Sequence, residues 1–171
     1  MNLERIIDGF NKVSVLVIGD IILDEYIFGS VDRISPEAPV PVVWANKRMH
    51  VPGGAANVAY NITSLDADVV LVGVIGKDKS ADILLSELAK RRISCRGIFS
   101  ESKRHTTVKT RVIAGHQQVV RVDWEHTDSL APAINKKILD FVEKNIKGFD
   151  AVIIEDYGKG VMQPFLLREV V

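Results

Sequence analysis

The sequence has a single cysteine and no excess of charge of either sign. Cys95 stands alone among 171 residues, which excludes a disulfide within the chain. Lys and Arg together number 22, as do Asp and Glu, so the formal net charge is zero. Binding to nucleic acid needs a basic surface, and we therefore expect no nucleic-acid partner. A zero balance still permits local basic clusters that bind a small anion.

Long hydrophobic runs are also missing. The chain is 47% hydrophobic, but its apolar runs have the length of strands, far below the roughly 20 residues of a membrane span. The first residues include Glu4 and Arg5 and lack the apolar core of a signal peptide. We expect a cytoplasmic protein without membrane attachment. The four histidines show no metal-ligand spacing, so no metal site is predicted.

Three short runs rich in β-branched residues predict buried strands at 13–19, 69–75 and 151–154. Between and around them, apolar residues recur at helical spacing in 55–65, 83–91 and 134–146. Strands that alternate with helices predict an α/β fold whose parallel sheet is covered on both faces.

Two segments interrupt this alternation. Segment 26–51 contains three prolines and a β-branched run, and segment 106–123 has a hairpin pattern around Gly115. Consecutive strands of a parallel sheet need crossover connections, which these segments lack. We therefore predict that they form a small separate β-sheet, inserted into the α/β core as a lid.

Polar residues follow two of the predicted strands. Asp20 comes directly after the first strand, and Asp156 and Lys159 follow the third. Ligands of open α/β sheets bind beyond the carboxyl ends of strands, where a carboxylate can accept hydrogen bonds from two sugar hydroxyls. The alternatives are that Asp20 caps a turn and that Lys159 is a solvated loop residue.

A glycine pair precedes the first predicted helix. Gly53 and Gly54 allow close approach of a ligand to the backbone, and the helix that follows offers free N–H groups. Asn57, in its first turn, supplies both a donor and an acceptor. The alternative is an ordinary entry from a loop into a helix.

Basic residues form the last candidate group. On a strand, Lys109 and Arg111 share one face and could meet an anionic substrate under the lid, with Arg33 as a further cation. A solvated strand face is the alternative. The candidate substrate-binding residues are Asp20, Arg33, Gly53, Gly54, Asn57, Arg111, Asp156 and Lys159.

The runs Val-Ile-Gly-Asp-Ile-Ile-Leu-Asp at 17–24 and Pro-Gly-Gly-Ala-Ala-Asn-Val-Ala at 52–59 resemble the N-terminal half of PfkB, or ribokinase-type, carbohydrate kinases. Three further runs, at 33–43, 117–123 and 155–160, are similar to the heptose 7-phosphate kinases of ADP-heptose synthesis. The resemblance extends from about Val13 to the end. It implies a ribokinase-like three-layer α/β/α core with a β-sheet lid, truncated relative to the family.

The resemblance also implies an activity. The heptose 7-phosphate kinases use ATP and Mg²⁺ to phosphorylate the anomeric hydroxyl of D-glycero-D-manno-heptose 7-phosphate, a step toward the lipopolysaccharide core. By similarity, the sugar hydroxyls would be bound by Asp20, Gly53, Gly54 and Asn57. Lys159, helped by Arg33 or Arg111, would bind the 7-phosphate. A homodimer through the lid is implied as well.

One family motif is absent. The Gly-Ala-Gly-Asp run that carries the general-base Asp does not occur in this chain, nor does the nucleotide-binding region. We therefore expect the catalytic residue outside this chain and no kinase activity from the chain alone. The alternatives are a PfkB kinase for another sugar and a catalytically silent module that binds a sugar phosphate or a protein partner.

Overall fold

A computed structural model describes residues 7–170. Within them lie eight β-strands and four α-helices. In chain order these are β1 (Ser14–Gly19), β2 (Ile21–Ile34), β3 (Pro41–Gly54), α1 (Ala55–Thr63), β4 (Asp68–Ile75), α2 (Lys79–Lys90), β5 (Ser94–Ser100), β6 (Thr107–Ala114), β7 (Gln117–Trp124), α3 (Pro132–Asn145), β8 (Ala151–Glu155) and α4 (Pro164–Val170).

The first sheet is parallel throughout, in the order β5-β4-β1-β8. Strands occupy all three positions that the β-branched runs predict. Strand β5 was not predicted, because Arg96 and Gly97 interrupt its apolar pattern and it lies at the edge of the sheet. Edge strands need fewer apolar residues, since one side of the strand has no neighbour.

Helices cover both faces of this sheet. The alanines of α1 and the leucines of α2 pack on one face, against Val17 and Leu71. Residues of α3 and α4 pack on the other, against Leu16 and Ile18. Side chains of β1 alternate between the two cores, so its run is apolar throughout. The predicted three-layer α/β/α fold is confirmed.

The second sheet has the order β3-β2-β6-β7, in which β2 pairs with β6 in parallel and the outer pairs are antiparallel. The predicted inserted sheet is therefore present. Its strands begin closer to the core than segments 26–51 and 106–123 suggested, because Ile21 pairs with Gly54 at its root. Only Asp20 separates β1 from β2, so the second sheet rises directly from the carboxyl end of the first.

We expect Leu71→Ala to lower the free energy of unfolding by about 3 kcal/mol, because Leu71 is fully buried in β4 and its truncation leaves a cavity. Leu65→Ala is the matched control, since Leu65 is half exposed after α1 and should cost less than about 0.5 kcal/mol. Urea denaturation measures both. Similar losses for the two variants would contradict this description of the core.

Candidate functional site at the root of the second sheet

Asp20 is a buried carboxylate, only 1% exposed, between β1 and β2. Its Oδ2 accepts hydrogen bonds from the backbone N–H groups of Tyr157 (2.8 Å) and Lys159 (3.0 Å), and its Oδ1 accepts one from Val161 (3.3 Å). Hydrogen bonds to an ionised acceptor are strong, so this carboxylate fixes the loop that follows β8. The geometry matches the turn-capping alternative, and direct contact between Asp20 and a sugar stays a prediction.

The glycine pair forms the end of β3 rather than a loop, and α1 follows it at once. Gly54 has φ +56°, a conformation that side chains disfavour. A Cβ on Gly53 would collide with the carboxylate of Asp24, so Gly53 lets that carboxylate lie across β3. Asn57 is exposed in the first turn of α1. Of this group, Gly53 is the residue that lies against Asp24.

Asp24 lies in β2, and its carboxylate pairs with the guanidinium of Arg111 in β6. This hydrogen bond raises the pKa of Arg111, whose guanidinium also lies 5.3 Å from the ring centre of Tyr26. Asp24 follows Asp20 in the run 17–24 of the sequence analysis, but it is not among the candidate substrate-binding residues given there. The signal that could have found it was the two-residue alternation of 22–28, which becomes visible once β2 is known to begin at Ile21.

Two lysines converge on Glu125, which follows β7. Lys159 Nζ lies 2.8 Å from Glu125 Oε1, and Lys109 Nζ lies 3.5 Å from Oε2 and 3.1 Å from Asp123 Oδ2. The hydrogen bond from Lys159 lowers the pKa of Glu125, so its carboxylate stays ionised at neutral pH. The side chain of Lys159 is only 15% exposed, which argues against a solvated loop lysine. Sequence reasoning missed Glu125, since nothing in 124–126 marks it.

Together these residues make a charged cluster on one face of the second sheet. Lys109 and Arg111 share that face, as predicted for alternate residues of a strand, and Asp123 and Arg121 lie opposite them on β7. We name this set the root cluster; it comprises Asp24, Lys109, Arg111, Asp123, Glu125 and Lys159.

Two predicted site residues lie apart from the root cluster. Arg33 is exposed near the distal end of β2, nine residues beyond Asp24 and therefore roughly 30 Å along the strand. Within one chain, the prediction that Arg33 assists Lys159 is wrong, because the extended strand carries it away. Asp156 is exposed, and its Oδ1 accepts a hydrogen bond from Gly158 N (2.8 Å), which shapes a turn.

A cavity of about 450 Å³ lies on the opposite face of the second sheet, against the start of α2. Its carboxylates already have partners. Glu25 accepts from Thr110 (2.7 Å) and contacts His50 (3.2 Å), while Asp78 accepts from the backbone of Thr106 (2.7 Å) and Ala81 (2.9 Å). The cavity thus lies on the other face from the root cluster, and its carboxylates are satisfied by neighbouring groups.

Within residues 7–170, His, Cys, Asp and Glu side chains nowhere gather in a group of three or more suited to a metal ion. The same residues include no helix with the length and apolar character of a membrane span.

Replacing Asp20 tests its role as the anchor of the loop. We expect Asp20→Ala to lower the free energy of unfolding by at least about 3 kcal/mol, because three backbone donors lose their acceptor. Amide exchange at Tyr157, Lys159 and Val161 should accelerate selectively. Asp156→Ala is the control, and it should lower the free energy of unfolding by only about 0.5 kcal/mol, since it affects only an exposed turn. Unchanged exchange in Asp20→Ala would rule out the anchoring role.

The sequence and the fold of this chain are similar to those of known proteins. The model of the pfkB family carbohydrate kinases matches residues 12–168. The "Bifunctional protein HldE" of Helicobacter pylori (strain HPAG1) is 47% identical over 157 residues, which cover 92% of this chain and 34% of that protein. The protein of the same name from Aliarcobacter butzleri (strain RM4018) is 45% identical over 160 residues, with 94% and 34% covered.

Among solved structures, a putative phosphofructokinase from Staphylococcus aureus superposes with a TM-score of 0.72 at 14% identity, covering 92% of this chain and 48% of that one. That likeness shows the ribokinase-like fold. The chain spans about a third of the length of the curated relatives that it matches. The family match, which runs over nearly the whole described chain, shows that the chain belongs to the pfkB family of carbohydrate kinases.

Proposed function

We propose that this chain supplies the sugar-binding half of an ATP-dependent kinase that phosphorylates D-glycero-D-manno-heptose 7-phosphate at its anomeric hydroxyl. The product, a heptose 1,7-bisphosphate, would serve ADP-heptose and lipopolysaccharide core synthesis. The observation that carries the proposal is the convergence of Lys109 and Lys159 beside Asp24. The names and the 45–47% identity of the HldE relatives support the choice of substrate.

One side of the root cluster suits a polyol. Asp24 offers a carboxylate and Asn57 an exposed amide, and Gly53, which has no side chain, leaves room for that carboxylate against β3. A carboxylate can accept hydrogen bonds from neighbouring hydroxyls, and an amide can donate and accept at once. Arg111 keeps the Asp24 carboxylate in place through their ion pair. We propose that the sugar hydroxyls bind here, with Asp24 in the direct contact first assigned to Asp20.

The other side of the cluster suits a phosphate. Lys109 and Lys159 already hold one anionic group, the carboxylate of Glu125, between them. A phosphate monoester carries about −1.5 to −2 charges at neutral pH and three strong acceptor oxygens, so it is a better partner for two lysines. We propose that the 7-phosphate takes the place of Glu125, which would give a phosphorylated sugar an advantage over a neutral one.

Phosphoryl transfer depends on positioning and on electrostatic stabilisation of the transferred group. Residues 7–170 offer Mg²⁺ no group of three carboxylate, imidazole or thiolate ligands, and the chain lacks the Gly-Ala-Gly-Asp run. In this proposal, the chain alone binds the sugar phosphate without turning it over, and the general base and the ATP site come from outside it.

A homodimer through the second sheet is the proposed assembly. Val120, Val122 and Trp124 alternate along β7 on the face opposite the root cluster, and all three are exposed, Trp124 by 61%. The outer strands β3 and β7 also leave their edges unpaired within the described chain. Apolar exposure beside open strand edges favours association, and a second copy of the same sheet matches both features.

Calorimetric titration with heptose 7-phosphate and with unphosphorylated heptose tests the proposed substrate. We expect Lys159→Ala to weaken binding of the phosphorylated sugar by tenfold or more, about 1.4 kcal/mol, because a desolvated charge pair is lost. Binding of the neutral sugar should change less than about threefold, or 0.65 kcal/mol. Lys137→Ala, on the exposed face of α3, is the matched control. Equal binding of the two sugars by the unmodified chain, or none of either, would refute the proposal.

Sedimentation equilibrium tests the proposed dimer. We expect Val122→Asp to shift the chain toward monomer, because it places a charge in the apolar face of β7. Leu65→Asp adds the same charge at a position of similar exposure after α1 and should leave the mass unchanged. A monomeric unmodified chain, or equal dissociation by both variants, would exclude this interface.

A further inference from the structure

Arg104 lies outside the root cluster, in the connection between β5 and β6, and its side chain is only 10% exposed. Its Nη1 donates to the carbonyl of Lys159 (3.1 Å), and its Nη2 donates to the carbonyl of Asp128 (2.8 Å). Its Nε faces Glu101 Oε2 at 3.4 Å. One guanidinium therefore contacts three separate segments of the chain.

These segments pack closely. A Cβ on Gly160 would collide with the Asp128 carbonyl, so the loop after β8 passes directly against the connection between β7 and α3. Glu101, the carboxylate partner of Arg104, also accepts a hydrogen bond from Ala131 N (3.1 Å) at the start of α3. The planar fork of an arginine can satisfy two carbonyls and a carboxylate at fixed angles, which a lysine cannot do.

The backbone of Lys159 is held on both sides as a result. Its N–H donates to Asp20, and its carbonyl accepts from Arg104. With both groups fixed, the side chain leaves the loop in one direction, toward Glu125. Glu125 belongs to the same connection as Asp128, the second residue that Arg104 binds. Arg104 thus sets the position of Lys159 relative to Glu125.

The root of the second sheet is also held by hydrogen bonds close to Arg104. Thr106, two residues after Arg104, donates its N–H to Asp78 (2.7 Å), and its hydroxyl accepts from Gly76 N (3.0 Å). β6 begins at the next residue and carries Lys109. The segment around Arg104 therefore joins the loop of Lys159 to the strand of Lys109.

We propose that Arg104 is a positioning residue that determines specificity for a phosphorylated sugar, by fixing the separation of Lys159 and Lys109 to match one phosphate group. This inference rests on the proposed function of the root cluster. Pre-positioned donors bind an anion more tightly than mobile ones, because they lose less conformational entropy when the ligand binds. A neutral sugar, which contacts Asp24 and Asn57 instead, gains little from Arg104.

The test compares Arg104→Gln and Arg104→Lys with the unmodified chain and with Arg92→Gln, a control at an 82% exposed arginine. Without ligand, amide exchange is followed across 156–161. With ligand, dissociation constants are measured for heptose 7-phosphate and for heptose. We expect Arg104→Gln to accelerate exchange in 156–161 and to reduce the preference for the phosphorylated sugar by about tenfold. Arg104→Lys should restore part of the preference, and Arg92→Gln should change neither quantity.

Two results would overturn the inference. One is an unchanged preference in Arg104→Gln; the other is an equal loss for both sugars with exchange raised throughout the chain, which indicates a structural role alone. If the unmodified chain binds neither sugar, the proposed function fails and the specificity role fails with it. The exchange measurement then still decides whether Arg104 clamps the loop of Lys159.

Discussion

The site depends on the hydrogen bonds that the buried carboxylate of Asp20 accepts. Asp20 is the single residue between β1 of the first sheet and β2 of the second, and it accepts three backbone hydrogen bonds from the loop after β8. Its own carbonyl also accepts from Ala55 N at the start of α1. One residue therefore joins both sheets, a helix N-terminus and the loop of Lys159. Without it, the polar groups at the carboxyl end of the parallel sheet would have no fixed relation to one another.

Side chains alternate between the two faces of the second sheet, so one face carries the charged root cluster and the other carries exposed apolar residues of β7. On one face, Asp24, Lys109 and Arg111 contribute to the root cluster; on the other, Val120, Val122 and Trp124 are apolar and exposed. Neighbouring residues of a strand point to opposite faces, so a single short hairpin can serve both a ligand and a partner surface. A parallel pairing of β2 with β6 places the side chain of Asp24 beside that of Arg111.

Charge pairing within the root cluster orders its lysines, and it also makes an anionic ligand compete with a carboxylate for them. Its lysines are held by Glu125 and Asp123, so they are ordered before any ligand is present. In the proposed binding mode, the ligand phosphate displaces the carboxylate of Glu125, whose pKa the neighbouring lysine keeps low. Such an exchange of one anion for another favours a ligand with more charge than a carboxylate, which a neutral sugar does not have.

The sequence alone determined the α/β class, the inserted sheet and the positions of the main strands, because these follow from local patterns of apolar residues and of Gly and Pro. It also marked Gly53, Gly54, Asn57 and Lys159 as candidates through recognisable runs, and Arg111 through the alternation of a strand; of these, Arg111 and Lys159 belong to the root cluster. Only the tertiary structure distinguished Asp24 from Asp20, excluded Arg33 from its own chain's cluster, and brought in Glu125 and Arg104. These depend on contacts between residues from 16 to 141 positions apart. Their geometry arises only when the sheets pair, so no local pattern of the sequence contains it.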